Sequence, residues 1–207
     1  MTDDFEILSF KVIIIGNSKV GKTSILNRFI YNSYKEDILS TTGINFADKK
    51  ITLQNGKSIT LKLFDTAGQE RFRALSKSYF RNVDAALFVF AANNENSFQD
   101  IREWITIFMN CHTGKKDIPL YLVENKNDLE KMVDEKLINN ILEEYNFKFK
   151  STCAKSDKDN SINELFHELS EILYKNSDHN NSNKKQKCIQ LKIKQKKYKI
   201  ECCRGDT

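Results

Sequence analysis

The stretch FKVIIIGNSKVGKTSILNRF, residues 10 to 29, decides the fold. It opens with an apolar run that predicts a buried strand, and the following loop satisfies the pattern GxxxxGK[ST] at Gly16, Gly21, Lys22 and Thr23. A strand, a glycine-containing loop and a helix, in this order, are the context of a phosphate-binding loop. The glycines let the backbone curl so that its amide groups face phosphate oxygens, and the helix adds its positive amino end.

The residues of this loop have separate expected roles. Lys22 is expected to reach the β- and γ-phosphates of a nucleotide, and Thr23 offers a hydroxyl to Mg²⁺. The pattern alone is only moderately specific, because a glycine-containing turn before a helix also satisfies it. The loop residues predicted to bind nucleotide are Gly16, Asn17, Ser18, Lys19, Val20, Gly21, Lys22, Thr23 and Ser24.

A second motif, DTAGQERF, occupies residues 65 to 72 and follows the alternating apolar run Ile59–Phe64. Asp65 is therefore expected at the carboxyl end of a strand, where open α/β sheets bind their ligands. The motif places three groups within five residues: the Asp65 carboxylate, which can bind Mg²⁺, then Gly68 and Gln69. This combination suits a nucleoside triphosphatase that changes shape when the last phosphate leaves. Paired with the phosphate loop, this motif outweighs the plain-turn interpretation.

A third element indicates which base is bound. The tetrapeptide NKND, residues 125 to 128, follows the short apolar strand Pro119–Val123, and a carboxylate there accepts the N1 and exocyclic amine protons of guanine. The loop Thr152–Lys155 follows the predicted strand Phe147–Lys150 and offers a backbone amide to the guanine O6 and a lysine to cover the ring. These features favour GTP over ATP. The base-side residues predicted to bind nucleotide are Asn125, Lys126, Asp128, Cys153, Ala154 and Lys155.

From about residue 10 to residue 174 the chain resembles the small GTPases of the Ras superfamily, and specifically the Rab family. Three segments carry the Rab character. STTGINF at residues 40 to 46 is similar to the Rab signature STIGVDF, and DTAGQERFRAL occupies residues 65 to 75. SYFRNVDAALFVF at residues 78 to 90 is similar to YYRGADGAILVYD. The resemblance implies a P-loop GTPase fold and a Mg²⁺ cofactor.

The resemblance also assigns roles to single residues. Thr41 matches the threonine that coordinates Mg²⁺ only in the GTP state, and Tyr34 matches the aromatic residue that lies over the guanine. Gly68 matches the glycine whose amide detects the γ-phosphate, and Gln69 matches the residue that orients the attacking water. The predicted catalytic residues are thus Gln69, Lys22 and Thr41, and the predicted metal ligands are Thr23, Thr41 and Asp65. None of the predicted nucleotide-binding and catalytic residues is an arginine that could neutralise the leaving charge, so intrinsic turnover is expected to be slow and to need an activating partner.

The chain departs from the Rab pattern at several positions. Lys19 replaces a loop glycine, and two outcomes compete. Its positive charge could help to hold the phosphates, or its side chain could strain the loop and change the rates of nucleotide exchange and hydrolysis. An alternative function is therefore a nucleotide-binding scaffold with little or no hydrolysis. The other departures are Thr42, Asn82, Ala91 and Cys153, which stand for isoleucine, glycine, aspartate and serine.

The expected architecture is one α/β domain over residues 1–174, with a six-stranded, mostly parallel sheet flanked by helices. Segments Phe46–Leu53 and Lys57–Phe64 are joined by a short turn and predict a hairpin, which gives the sheet one antiparallel strand. Amphipathic helices are predicted over Asn96–Asn110 and Ile162–Tyr174. Trp104 is assigned to the core.

Residues 175–207 are predicted to be a disordered, polybasic tail. They hold ten Lys or Arg against three Asp or Glu, a net charge of +7, whereas the whole chain is +5 and residues 1–174 are therefore −2. Cys202 and Cys203 resemble the prenylated cysteine pair of Rab proteins, and two lipids plus a basic stretch satisfy the requirement for stable membrane anchoring. Four residues follow Cys203, so the end is neither a bare cysteine pair nor a CaaX box.

The expected partners are GTP and GDP, effectors, an exchange factor, a GTPase-activating protein, a Rab escort protein, a GDP dissociation inhibitor and the membrane. Nucleic acid is not expected, because Tyr198 is the tail's one aromatic residue and stacking needs several. The odd number of five scattered cysteines and the three isolated histidines predict neither a disulfide framework nor a zinc site. With no signal peptide and no long apolar run, the chain is expected at the cytoplasmic face of endomembranes, with a cytosolic pool.

Overall fold

The structure, a computed structural model, describes residues 8–36, 41, 43–68, 78–114, 117–156 and 158–178. Its centre is a six-stranded sheet in the order β2-β3-β1-β4-β5-β6. The β2 and β3 strands pair antiparallel, and every other neighbouring pair is parallel, which confirms the predicted fold. The strands are β1 (Ser9–Ile15), β2 (Ile44–Thr52), β3 (Ser58–Thr66), β4 (Ala85–Ala91), β5 (Leu120–Asn125) and β6 (Lys148–Ser151).

Helices cover both faces of this sheet, as the near-continuous apolar runs of its central strands require. All seven residues of β4 are buried, and so are the last four of β1. The described helices are α1 (Lys22–Tyr31), α2 (Glu95–Gln99), α3 (Ile101–Cys111), α4 (Glu135–Tyr145) and α5 (residues 161–178), and a single 3₁₀ turn spans Ser78–Phe80.

Alternation along β1 divides the core into two layers. Val12 and Ile14 point into one layer, where Phe29 of α1 stacks on Phe166 of α5 at 4.0 Å between ring centroids. The neighbouring residues point into the other layer, which holds Trp104 and Phe108 of α3. Each such buried apolar side chain contributes about 1.5–3 kcal/mol relative to exposure, so the two layers fix α1 and α3 on opposite sides of the strand that precedes the phosphate loop.

Two helix predictions differ from the structure. The helix predicted over Asn96–Asn110 is interrupted at Asp100, which separates α2 from α3. The helix predicted to end at Tyr174 continues through residue 178, so the first four residues of the predicted disordered tail are helical. The polar side chains in those four residues hide the helix from a periodicity argument. None of the helices in the described ranges has the length and apolar composition needed to cross a membrane.

Candidate nucleotide-binding site

Fourteen of the predicted nucleotide-binding residues line two adjoining cavities at the carboxyl ends of β1, β3 and β5. Gly16, Asn17, Val20, Asp65 and Cys153 line neither cavity. One cavity, of about 320 Å³, is lined by Ser18, Lys19 and residues 21 to 24 of the phosphate side together with Thr41 and Gly68. The other, of about 210 Å³, is lined by the base-side residues Asn125, Asp128, Ala154 and Lys155. The residues common to both are Gly21, Ser24, Tyr34, Glu36 and Lys126. Phosphate-side and base-side predictions therefore meet along one continuous surface.

The phosphate loop takes a shape that only glycine permits at two of its positions. Gly16 has a φ of +145°, and a Cβ built there lies 2.1 Å from the carbonyl oxygen of Val89. Gly21 has a φ of +97°, and its Cβ would lie 2.2 Å from the side-chain nitrogen of Asn125. Helix α1 begins directly after Gly21 without a side-chain cap within the described chain and without an acidic residue in its first turn. Its positive amino end therefore faces the phosphate-side cavity, as an anion site requires.

Lys22 is the buried cation of the loop, with 5% of its surface exposed. Its ammonium group donates to the carbonyl oxygens of Gly16 at 2.8 Å and Asn17 at 2.7 Å, so the side chain folds back over the loop. Burial lowers the pKa of Lys22 to about 8, against the opposing effect of the nearby Asp65 carboxylate. An anionic ligand in the cavity would favour the charged ammonium, which is the form that binds phosphate.

Oxygen atoms from three predicted metal ligands gather beside Lys22. The Thr23 hydroxyl donates to Asp65 Oδ2 at 2.6 Å, and the hydroxyls of Thr23 and Thr41 lie 3.0 Å apart. The other carboxylate oxygen, Asp65 Oδ1, is buried without a hydrogen-bond partner among the described residues. Burial raises the pKa of Asp65, although the bonds from Thr23 and the charge of Lys22 act in the opposite direction. Hard oxygen donors with one unsatisfied carboxylate oxygen fit Mg²⁺.

Asn125 links the two halves of the site. Its side-chain amide donates to the Val20 carbonyl at 2.9 Å, while its oxygen accepts from the Ala154 amide at 3.2 Å and from the Thr152 hydroxyl at 3.3 Å. The Ala154 amide, predicted to meet the guanine O6, donates to Asn125 in the structure. Asn125 therefore braces the phosphate loop, β5 and the loop after β6 against one another.

Asp128, the predicted guanine-specifying residue, lies at the base-side cavity and is held by a thiol. The Sγ of Cys153 lies 3.1 Å from Asp128 Oδ1, and Cys153 itself is buried. Cys153 Sγ also accepts from the amide and the hydroxyl of Ser156, at 3.4 and 3.3 Å. Cys153 thus orients Asp128 rather than lining the cavity itself.

The outer rim of the site carries an ion pair that the sequence did not indicate. The Lys155 ammonium lies 3.3 Å from a carboxylate oxygen of Glu36, and both side chains are exposed. Glu36 raises the pKa of Lys155. This pair joins the loop after α1 to the loop after β6 across the cavities, beside Tyr34, but an exposed pair of this kind contributes little to stability.

Gly68, predicted to detect the γ-phosphate, lies within the described residues, whereas Gln69, predicted to orient the attacking water, does not. Gly68 lies so close to the phosphate loop that a Cβ there would come within 2.3 Å of the Asn17 carbonyl carbon and 2.4 Å of the Ser18 nitrogen. Only glycine fits at that contact. Gln69 lies outside the described residues, as do Cys202 and Cys203.

Lys19 has a φ of +64°, in the left-handed region, and its side chain is exposed at the phosphate-side cavity. The sequence suggested backbone strain and added positive charge as competing effects of Lys19. In the structure, both occur at this residue. A non-glycine residue in this conformation costs about 1–2 kcal/mol.

Comparisons with known proteins agree with this site. The Ras family profile matches residues 11–175. The chain is 41% identical over 59% of its length to the protein "Probable Rab-related GTPase" of Acanthamoeba polyphaga mimivirus, and 40% identical over 58% of its length to "Ras-related protein Rab-11C" of Dictyostelium discoideum. It is 33% identical over 82% of its length to "Ras-related protein SEC4" of Saccharomyces cerevisiae, of which the match covers 77%.

The matches to the mimivirus and Dictyostelium proteins cover 56% and 53% of those proteins, so the chain spans about half the length of each. The profile match nevertheless extends from β1 into α5 and includes every nucleotide motif. The chain belongs to the Ras family, as a Rab-type small GTPase.

Proposed function

We propose that the protein binds GTP and GDP with Mg²⁺, hydrolyses GTP slowly and acts as a membrane-anchored switch in vesicle trafficking. The observation that carries this proposal is that Lys22, Thr23 and Thr41 line one cavity, which adjoins the cavity of Asp128. Asp65 lies behind the first cavity, bonded to the Thr23 hydroxyl. The first set suits a triphosphate with its metal, and Asp128 suits guanine. The Ras family membership supports the same assignment.

Binding and hydrolysis divide among the chain's own residues. The loop amides and Lys22 hold the phosphates, while Thr23, Thr41 and Asp65 would hold Mg²⁺. When bound, the metal neutralises charge that develops on the phosphate oxygens. Gln69 orients the attacking water, and because none of the nucleotide-binding and catalytic residues is an arginine that adds charge stabilisation, intrinsic turnover is slow, on the order of 10⁻⁴ to 10⁻³ s⁻¹. A GTPase-activating protein would raise it by roughly 10³- to 10⁵-fold.

The switch depends on the two segments that carry Thr41 and Gly68. Both residues lie against the phosphate loop, Thr41 through Thr23 and Gly68 through the Asn17 backbone. Loss of the γ-phosphate would remove the group that both segments bind, and effectors that recognise the ordered segments would be released. An exchange factor would then reload the site with GTP.

The membrane part of the proposal rests on the basic tail and on Cys202 and Cys203. We expect an escort protein to present both cysteines for prenylation and a GDP dissociation inhibitor to extract the lipidated chain. This cycle would place the protein at the cytoplasmic face of endomembranes, with a cytosolic pool. The location of a fluorescently tagged chain tests it: the native chain should show a membrane pattern, and a variant with both cysteines changed to serine should be diffuse. A membrane pattern in both would contradict lipid anchoring.

Nucleotide competition tests the binding part. Fluorescent GDP bound to the full chain should be displaced by GTP and GDP but not by ATP at the same concentration, and Asp128→Ala should weaken guanine binding. Equal displacement by ATP would contradict guanine specificity. The alternative, a scaffold that binds nucleotide with little or no hydrolysis, predicts the same competition result but no turnover.

A further inference from the structure

The side chain of Asn17, in the middle of the phosphate loop, is held by two residues from the helices on the other side of the sheet. Its amide nitrogen donates to Asp100 Oδ2 at 2.6 Å. Its amide oxygen accepts from the indole nitrogen of Trp104 at 2.7 Å. The donor and the acceptor of Asn17 thus each meet a complementary group, and both bonds are short.

Asp100 is the residue that interrupts the predicted long helix. It stands at the amino cap of α3, yet its side chain makes no capping hydrogen bond there. An aspartate at this position ordinarily accepts from the helix's own amides. Here the carboxylate is directed to Asn17 instead, which makes the bond charge-assisted and stronger than one between neutral groups.

Trp104 lies one turn further along α3 and is fully buried in the second core layer. A rigid, packed side chain holds its indole N–H in a fixed position. Asn17 is therefore connected, through Trp104, to the close-packed core.

The backbone of Asn17 is where the phosphate-binding cation and the phosphate-sensing segment meet. The Asn17 carbonyl oxygen accepts from the Lys22 ammonium at 2.7 Å. A Cβ at Gly68 would lie 2.4 Å from the same oxygen, so the Gly68 segment passes directly over this peptide. A displacement of Asn17 would consequently move Lys22 and the Gly68 segment together.

The geometry points to Asp100 and Trp104 as positioning residues for the phosphate loop, which act on bound nucleotide through Asn17. By fixing both ends of the Asn17 amide, they set where the carbonyl of Asn17 lies and hence how Lys22 and Gly68 meet the phosphates. The inference rests on the proposed function, since it takes Gly16–Thr23 as the phosphate-binding segment. It adds two residues that do not line either cavity.

Exchanging the two polar partners tests this inference. In Asn17→Asp, two carboxylates would face each other at 2.6 Å, and we expect fluorescent GDP to dissociate from the full chain at least about tenfold faster. Asp100→Asn keeps an oxygen that accepts from Asn17, so its dissociation rate should stay within about threefold of the native rate. In the double variant, the amide of residue 100 can donate to the carboxylate of residue 17, and the rate should return to within about threefold of native.

Rescue in the double variant would show that residues 17 and 100 act through each other, since two independent defects would add. Faster GDP release by Asn17→Asp at an unchanged thermal midpoint is the result that a merely structural role would not give. A double variant that releases GDP as fast as Asn17→Asp would overturn the inference. So would an Asn17→Asp variant whose rate equals the native rate. The thermal midpoint of each variant, measured alongside, separates loss of folding from loss of positioning.

Trp104→Phe provides a second route if Asn17→Asp does not fold. It removes the N–H donor and retains most of the buried apolar volume, so it should accelerate GDP release by about threefold to tenfold. The matched control is Phe108→Leu, an apolar change one turn further along α3 in the same core layer. Although it also loses some stability, its GDP dissociation rate should stay within about twofold of the native rate. Equal rates in the two variants would contradict the positioning role. Failure of the native chain to bind GDP would instead contradict the proposed function itself.

Discussion

The side-chain amide of Asn125 donates to the main-chain carbonyl of Val20 at 2.9 Å, so the motif predicted to read the base is bonded to the predicted phosphate loop. Gly21 has no room for a side chain, because a Cβ there would lie 2.2 Å from the Asn125 side-chain nitrogen. The proposed binding sites for the base and for the phosphates are therefore parts of one hydrogen-bonded unit. Distortion of the base loop should be transmitted to the phosphates.

Asn125→Ala should weaken GDP binding by about tenfold or more and lower the free energy of unfolding by about 1–3 kcal/mol. It leaves the Val20 carbonyl and the Ala154 amide without their shared buried partner. Titration with fluorescent GDP and chemical denaturation measure the two effects. Asn127→Ala is the matched control, because Asn127 bonds to Ser151 and not to the phosphate loop. Similar losses in both variants would contradict the role given to Asn125.

Asp65→Asn should stabilise the metal-free, nucleotide-free protein by about 1 kcal/mol, since it replaces a buried carboxylate that has one unsatisfied oxygen. The same change should remove the tightening of GDP binding by Mg²⁺. Thermal unfolding in chelator and GDP titrations with and without Mg²⁺ report these effects. Asp48→Asn, an isosteric change at an exposed residue of β2, should alter neither. A destabilised Asp65→Asn variant that still responds to Mg²⁺ would exclude Asp65 as the metal ligand.

Lys19→Gly and Lys19→Ala separate strain from charge in the phosphate loop. Glycine relieves the left-handed backbone whereas alanine retains a Cβ, so Lys19→Gly should be more stable than Lys19→Ala by about 0.5–1 kcal/mol. Both variants lose the positive charge at the cavity, and GDP should dissociate about twofold to fivefold faster from each. Denaturation and stopped-flow dissociation give the two quantities. Slower GDP release from the glycine variant than from the native chain would mean that strain, not charge, dominates at this position.

Cys153→Ser should tighten GDP binding by about twofold to fivefold. A hydroxyl is a stronger donor than a thiol, so it should hold the Asp128 carboxylate more firmly for the base. Cys153→Ala removes the donor and should weaken binding. Isothermal titration should therefore give GDP affinities that decrease from the serine form to the cysteine form to the alanine form. Equal affinities for the cysteine and alanine forms would show that the thiol does not orient Asp128.

Most of the fold could be predicted from the sequence, because the motifs and apolar runs that determine it are each contained in a short segment. The apolar run before Gly16 predicts a buried strand, and the turn between β2 and β3 predicts an antiparallel pair. Lys22, Asp65 and Asp128 each follow a predicted strand, so they are expected at the same edge of the sheet. Glycine at positions 16 and 21 is likewise dictated by close contacts that the motif already implies.

The parts that the sequence did not predict depend on contacts between distant residues. The break at Asp100 has no helix-breaking residue to mark it, and its partner Asn17 is 83 positions away. Trp104 has the spacing of a core residue and is one, but its polar N–H has a second role that periodicity does not reveal. Asn125 was predicted to bind nucleotide, and the sequence did not reveal that its side chain bonds to Val20 and Ala154 and braces the site.

Single-turnover hydrolysis of GTP by the full chain, with Mg²⁺ and beside the variant Gln69→Leu, tests the central claim most directly. The native chain should convert bound GTP to GDP at a rate on the order of 10⁻⁴ to 10⁻³ s⁻¹. The variant should bind GTP equally well and turn it over at least about tenfold more slowly, because it lacks the amide that orients the water. Tight GTP binding without measurable turnover in the native chain, or equal turnover in both proteins, would contradict the account and favour a nucleotide-binding scaffold.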